Sequence, residues 1–201
     1  MRKMHEILPL VCNYLNAAGA EYVVIGGIVV SIHGYPRSTI DLDVIISLEE
    51  RALEKFLEFL KKNGFRTSME DARVAFAERS HFTAEDTLSR LRLDIKGVYN
   101  EMDRRTISRR VKFRFMGTDI MIETPEDLIG AKLYFGCEQD IRDAEGVYQL
   151  QKDKLDMDYL DTVCKSYGVG TELEALKKTA ARSSVQGSIP RGRSQKNARH
   201  R

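Results

Sequence analysis

The stretch that most restricts what this chain can become runs from Tyr22 to Ile46. Its opening Tyr-Val-Val-Ile is β-branched and stops at Gly26-Gly27, which reads as a strand entering a tight turn. Residues 28–32 suit one short helix, closed by Gly34 and Pro36. A second apolar run, Asp41 to Ile46, reads as a strand with acids at its first and third positions. Strand side chains alternate, so Asp41 and Asp43 share one face while Leu42 and Val44 take the other. At about 4 Å and an effective dielectric near 20, two such carboxylates repel by roughly 4 kcal/mol. A divalent cation relieves that cost, and hard oxygen donors suit Mg²⁺. Between strand and helix, Gly26-Gly27 lets the backbone approach a ligand and presents N–H groups at a helix start, which favours anions. Anion cradle and acid pair together are what handling of a nucleoside triphosphate requires. Asp156-Met157-Asp158 has the same Asp-x-Asp form but reads as a helix N-terminus, where acids favour the dipole.

Gly26-Gly27 followed by Arg37-x-Thr39-x-Asp41-Leu42-Asp43 resembles the signature of the DNA polymerase β-type nucleotidyltransferase superfamily. The spacing from Gly27 to Asp41, 14 residues, stands towards the long end of the family's range. The chain looks most like the minimal and the abortive-infection (AbiEii-type) nucleotidyltransferases, many of which occur in toxin–antitoxin pairs. That resemblance implies an α/β nucleotidyltransferase fold: a mixed sheet of about five strands flanked by helices, with a C-terminal helical part. It implies an enzyme in which Asp41 and Asp43 bind two Mg²⁺ ions carrying ATP or another NTP. Asp94 is the match to the family's third carboxylate, binding the metal nearer the acceptor and helping to deprotonate its hydroxyl. The Gly26-Gly27 backbone would hold the β and γ phosphates, with Arg37 and Thr39 in the nucleotide-binding motif. Lys132 matches a family lysine that reaches the phosphates; from the residues alone it reads equally as a snorkelling lysine. Asp140 and Asp143 match the family's Lys-Asp-x-x-Asp helix start, with Gln139 in place of the usual basic residue. They would orient Lys132 or serve the acceptor, or they form an acid cluster at a helix N-terminus. The resemblance leaves the acceptor open: an RNA end or a protein side chain, or a small hydroxylated drug. A toxin or antitoxin partner chain and a homodimer are compatible with the family, as is a non-catalytic nucleotide-binding or antitoxin-like module.

At 201 residues the chain suits one domain with a small appendage, and 42% hydrophobic against 31% charged residues is ordinary for a soluble protein. No apolar run approaches the ~20 residues of a membrane span and no signal peptide precedes the first helix, so a cytoplasmic protein is expected. Three cysteines without Cys-x-x-Cys spacing argue for a reducing compartment and against a zinc site or disulfide frame. The residues divide as a core over 1–123, a helical part over 124–181 and a basic tail over 182–201. From Arg182 onward there are six basic residues and no acids, leaving 26 basic against 30 acidic residues before it. That tail should be disordered, and it suits either nucleic-acid binding or a solvated extension.

Met4 to Ala18 reads as a helix whose regular part starts near Pro9, and Ser47-x-x-Glu50 as a capping box opening the next helix. Residues 71–90 read as a helix followed by a loop, with His81 as a surface residue. Leu91 to Tyr99 reads as a strand with Asp94, Arg92 and Lys96 on one face; paired only with those cations, Asp94 would be structural. In the strand from Arg110, Val111, Phe113 and Phe115 are expected to face the core, and Gly117-Thr118 to turn into Ile120–Ile122. The basic row Arg110, Lys112 and Arg114, with Arg104, Arg105 and Arg109 nearby, would suit either an acidic acceptor or a solvated face. Thr124, Pro125 and Glu126-Asp127 open a helix whose inner stripe is Leu128, Ala131 and Phe135.

Overall fold

The computed structural model describes residues 1–186, with side chains through Ala181. One mixed seven-stranded sheet runs in the order β3-β4-β5-β2-β1-β7-β6. Its strands are β1 (Glu21–Ile25), β2 (Asp41–Ser47), β3 (Phe65–Arg66), β4 (His81–Asp86), β5 (Arg92–Lys96), β6 (Val111–Phe115) and β7 (Thr118–Ile122). The pairs β2–β5 and β1–β7 are parallel and the remaining pairs antiparallel. Among the described residues the strands therefore number seven, not about five.

Two of the additions have physical explanations. In β4 the inward positions are Phe82, Ala84 and Asp86, so the period of two is present but one inner residue is an acid. The Arg2 guanidinium satisfies that buried Asp86 at 2.8 Å, and the stretch read as loop is a central strand. β3 is a two-residue edge strand, too short to leave a pattern.

Helices α1 (Met4–Ala17), α2 (Gly27–Ile32), α3 (Glu50–Lys62), α4 (Met69–Ala77) and α5 (Glu101–Arg109) are interleaved with the strands. α1 begins at Met4 rather than near Pro9, because the only carbonyl Pro9 leaves unpaired belongs to the exposed His5 in the first turn. α3 starts after Glu49 without a side-chain cap, so the expected capping box from Ser47 is absent: Ser47 is still the last residue of β2.

One sheet face carries Tyr22, Val24, Leu42, Val44, Ile46, Leu93, Ile95, Phe82 and Ala84. With the buried sides of α1 (Ile7, Val11, Leu15) and α3 (Leu53, Phe56, Leu60), they form a continuous core. The other face is only partly covered. There Val23 and Ile45 pack against Ile107 of α5, with Ile25 and Val98 beside them, and the β2, β5 and β4 part of the face otherwise carries mainly polar side chains.

The hairpin β6–β7 corrects two expectations. Its turn residues are Met116-Gly117, at φ +46° and +84°, and Thr118 already pairs with Phe115. As β6 is the sheet edge, Val111 is 41% exposed rather than facing the core. Lys112 and Arg114 both reach Asp119 across the hairpin, at 3.4 and 2.6 Å, so one acid is shared by the two cations.

The C-terminal helices are α6 (Pro125–Phe135), α7 (Glu138–Gln151), α8 (Met157–Tyr167) and α9 (Gly170–Gln186). Thr124 caps α6 by accepting the Asp127 N–H at 3.2 Å, and Pro125 takes the first helical position. The buried side of α6 is Leu128, Ile129 and Leu133; Phe135 is 68% exposed because the last turn projects past its partners, leaving Tyr134 to Cys137 in solvent. Asp156 caps α8, accepting the Tyr159 N–H at 3.0 Å. The expected basic tail lies outside the described residues apart from the backbone of α9 to Gln186. Among the described residues no helix is long and apolar enough to cross a membrane.

Candidate active site

On the partly open sheet face, strand register lines up side chains in rows. The outermost row runs Asp41, Arg92, Glu85, Arg66 across β2, β5, β4 and β3. Its charges alternate, and each acid meets a base: Arg92 donates through Nε to Asp41 Oδ1 at 2.8 Å, with Nη2 also 2.8 Å from that oxygen, and Arg66 donates to Glu85. The third row, Val23, Ile45, Lys96, His81, is apolar at one end, and Lys96 is tied to Asp103 of α5 at 2.8 Å.

Between them lies the row Ile25, Asp43, Asp94, Thr83. Here two acids sit directly opposite on parallel neighbours, where strands are about 4.8 Å apart. Like charges so placed destabilise a sheet. No other row in this region sets acid against acid. The carboxyl of Asp43 responds: burial, then the charges of Asp94 and Asp41, push it from 3.8 up to about 6. Thr83 answers Asp94 with a hydrogen bond, its Oγ1 donating to Oδ1 at 2.6 Å. Sequence reading missed Thr83 because β4 was read as loop.

The elbow between β1 and α2 stands against this row. Gly26 has φ +73° and ψ −148°, a conformation essentially restricted to glycine. A methyl group there would lie 2.5 Å from Asp43 Oδ2, so the carboxylate rests on the bare backbone. At Gly27 a methyl would meet Arg37 Nη1 at 2.2 Å and Thr39 Cβ at 3.2 Å. Thr39 in turn opens β2, its Oγ1 accepting the Asp41 N–H at 3.2 Å. The long segment 33–40 is folded rather than slack: Ser31 Oγ donates to Arg37 O at 2.8 Å, and Tyr35 packs face-on against Gly146 of α7.

Lys132, on α6, donates to Asp140 Oδ1 at 2.6 Å. Its Nζ is also 3.3 Å from Asp143 Oδ2, the same oxygen that Arg37 Nη1 approaches at 3.3 Å. Asp143 is fully buried, and Oδ2 lies between the two cations without a hydrogen bond to either. Its other oxygen accepts from Gln139 Nε2 at 2.8 Å, so Gln139 is spent inside the protein. The structure thus brings together Asp41, Asp43, Asp94 and the glycine elbow, and next to them Arg37, Thr39, Lys132, Asp140 and Asp143.

Glu123 is a further member that sequence reading passed over, since a lone acid after a strand carries no signal. It is 3% exposed, and its Oε1 accepts the Gly26 N–H at 2.8 Å. Its own N–H donates to Val24 O at 3.1 Å, and its carbonyl faces His33 Nε2 at 3.0 Å. The elbow is thereby bound to the start of α6. With the Gly26 N–H taken by Glu123, the first-turn N–H groups that α2 leaves without an intrahelical partner are those of Gly27 and Ile28.

Burial above all pushes the Glu123 carboxyl from 4.5 up to about 8, so near neutrality it holds a proton. For an acid raised in the folded state, ionisation opposes folding: stability should fall as pH rises from about 4.5 to 8 and level off beyond. The ceiling on that loss is about 5 kcal/mol. Glu123→Gln keeps the acceptor for Gly26 and cannot ionise, so its chemical-denaturation stability should be flatter across that range. An unchanged slope would mean that Glu123 does not titrate there.

Among the described residues no three His, Cys, Asp or Glu side chains are gathered tightly enough to hold a metal ion as they stand. The donor set nevertheless fits a hard divalent cation. Three carboxylates share one face, Asp43 lacks a direct cationic partner, and Thr83 and Arg92 each occupy only one oxygen of Asp94 and Asp41.

No protein-family model matches the sequence, and no curated protein matches it significantly. Several solved structures share its fold. An antigenic nucleotidyltransferase-like protein from Paracoccidioides brasiliensis aligns with a TM-score of 0.55 at 15% identity, over 87% of this chain and 91% of that one. The antibiotic-resistance factor ANT(2″)-Ia gives a TM-score of 0.55 at 14% identity, over 89% and 97%. The lincosamide antibiotic adenylyltransferase LnuA gives 0.51 at 13%, over 75% and 98%. The architecture is therefore that of nucleotidyltransferase-like folds.

Proposed function

We propose that this chain is a magnesium-dependent nucleotidyltransferase, moving a nucleoside monophosphate from an NTP to a hydroxyl acceptor. The observation that carries this reading is the register pair Asp43–Asp94 beside Gly26, two facing acids whose repulsion a bound cation would relieve. The shared fold with adenylyltransferases of low identity supports it without naming an acceptor.

Asp41, Asp43 and Asp94 would hold two magnesium ions. When bound, such ions neutralise the triphosphate and stabilise the entering and leaving oxygens of an in-line displacement. The chain's own groups do the rest. Arg37 and Lys132, both held at Asp143, set two positive charges beside the elbow for the phosphates. The N–H groups of Gly27 and Ile28 face the same anion. Thr83, by occupying Oδ1, orients Asp94 so that Oδ2 can take the acceptor's hydroxyl proton. The acceptor oxygen then bonds to the α-phosphorus as the α–β bridge breaks, and pyrophosphate leaves with the electron pair.

Incubation with magnesium, acceptor extract and NTP labelled at either the α or the γ phosphorus tests this. Label should pass to an acceptor from the α position only. Transfer from the γ position would make the protein a kinase, and nucleotide binding without any transfer would leave it a binding module.

A further inference from the structure

We propose that the groove at the β4–β5 turn is the acceptor subsite, and that it takes a phosphate group carried next to the acceptor hydroxyl. The proposal rests on reading the carboxylate row as a nucleotidyltransferase site, and it adds the chemical class of the second substrate.

The groove has a volume of about 370 Å³, within the usual size of a small-molecule site. It is lined by Arg66, Glu85, Ser89, Arg90 and Arg92, among others. Arg66, Glu85 and Arg92 belong to the outermost row of the site face, so the groove begins one residue pair away from Asp43 and Asp94. It lies on the side of β5, the strand that carries Asp94, so an acceptor held there would lie beside that carboxylate.

Its acids are already matched. Asp86 is buried and held by Arg2 at 2.8 Å and by Ser89, and Glu85 is held by Arg66. Arg92 is committed through one face to Asp41. Arg90 is exposed and has no anionic partner among the described residues. The groove therefore carries one unmatched guanidinium next to a second, a setting for a phosphate rather than for a cationic or neutral acceptor.

The wall is preformed. Asp86 N–H donates to Leu91 O at 3.0 Å, and Leu91 N–H to Ser89 Oγ at 3.1 Å. Thr87 fastens the turn to Gly64 O through both its N–H, at 2.9 Å, and its hydroxyl, at 2.7 Å. The turn backbone needs little ordering on binding, which leaves chiefly the Arg90 side chain to be immobilised.

A phosphate beside a free hydroxyl occurs at an RNA 3′ end and in a phosphorylated small molecule. Binding of a short fluorescein-labelled RNA to the full chain, followed by anisotropy, separates these from each other. Arg90→Glu should weaken binding about tenfold and reduce the salt slope by about one, and Arg90→Lys should recover most of it. If AMP, followed by isothermal titration calorimetry, binds in an Arg90-dependent way while the RNA does not, the acceptor is a small phosphate compound. If neither binds, or if Arg90→Glu binds as tightly as the wild type, the proposal is wrong. Arg90-dependent binding with no transfer of α-label would keep the groove and overturn the nucleotidyltransferase reading instead.

Discussion

Asp43→Asn should make the protein more stable while removing nucleotidyl transfer. Below about pH 3 the acid is largely neutral in both folded and unfolded chains, so the amide brings no advantage there. As pH rises towards 6 the unfolded chain ionises freely, while the folded one must place a charge beside Asp94 and Asp41 in a desolvated position. Taking the carboxyl from 3.8 to about 6 corresponds to a cost of at most about 3 kcal/mol above that pH. In a chain of this size the amide should then raise the melting temperature by roughly 5–10 °C at pH 7.5 and leave it nearly unchanged at about pH 3. Transfer of α-label should drop about a thousandfold or more, since the amide cannot replace a charged oxygen ligand. Thermal scans at the two pH values check the first half. A variant that is destabilised at pH 7.5 would show that Asp43 is already compensated inside the protein, and the site would lose its motive for binding a cation.

Gly26→Ala should fail in two ways at once. The backbone at φ +73° is strained for any L side chain, at about 1–3 kcal/mol. The new methyl would also stand 2.5 Å from Asp43 Oδ2, so the carboxylate must leave the row or the elbow must open. Unfolding free energy should fall by about 3 kcal/mol, and activity should be lost with it. Gly26→Ala combined with Asp43→Ala distinguishes the parts. Removing the carboxylate relieves the clash but not the backbone strain, so the double variant should recover some stability and no activity. Strict additivity of the two changes would mean that glycine and carboxylate do not touch.

Much of this site was legible because its parts are close in sequence or follow a strict period. The Gly-Gly elbow, the strand from Asp41 and the alternation around Asp94 each obey a local rule, and the sheet assembles them as that rule predicts. What was not legible depends on partners far along the chain. β4 hides because Asp86 interrupts its apolar side, and only Arg2, 84 residues away, explains how an acid can be there. Glu123 has no neighbour that marks it; its meaning comes from an N–H that is 97 residues earlier. Phe135 fits the helical period and is still exposed, because the period cannot say where the neighbouring helices end. The segment 33–40 looked merely long, yet Tyr35 and Arg37 lock it to α7.

The most direct measurement is manganese binding followed by electron paramagnetic resonance, with wild-type protein set against Asp94→Asn. If the facing acids of β2 and β5 exist to share a cation, the wild type should take up manganese and the variant should bind at least about tenfold more weakly, with its fold intact by circular dichroism. Equal binding by the two proteins, or none by either even with NTP present, would contradict the account.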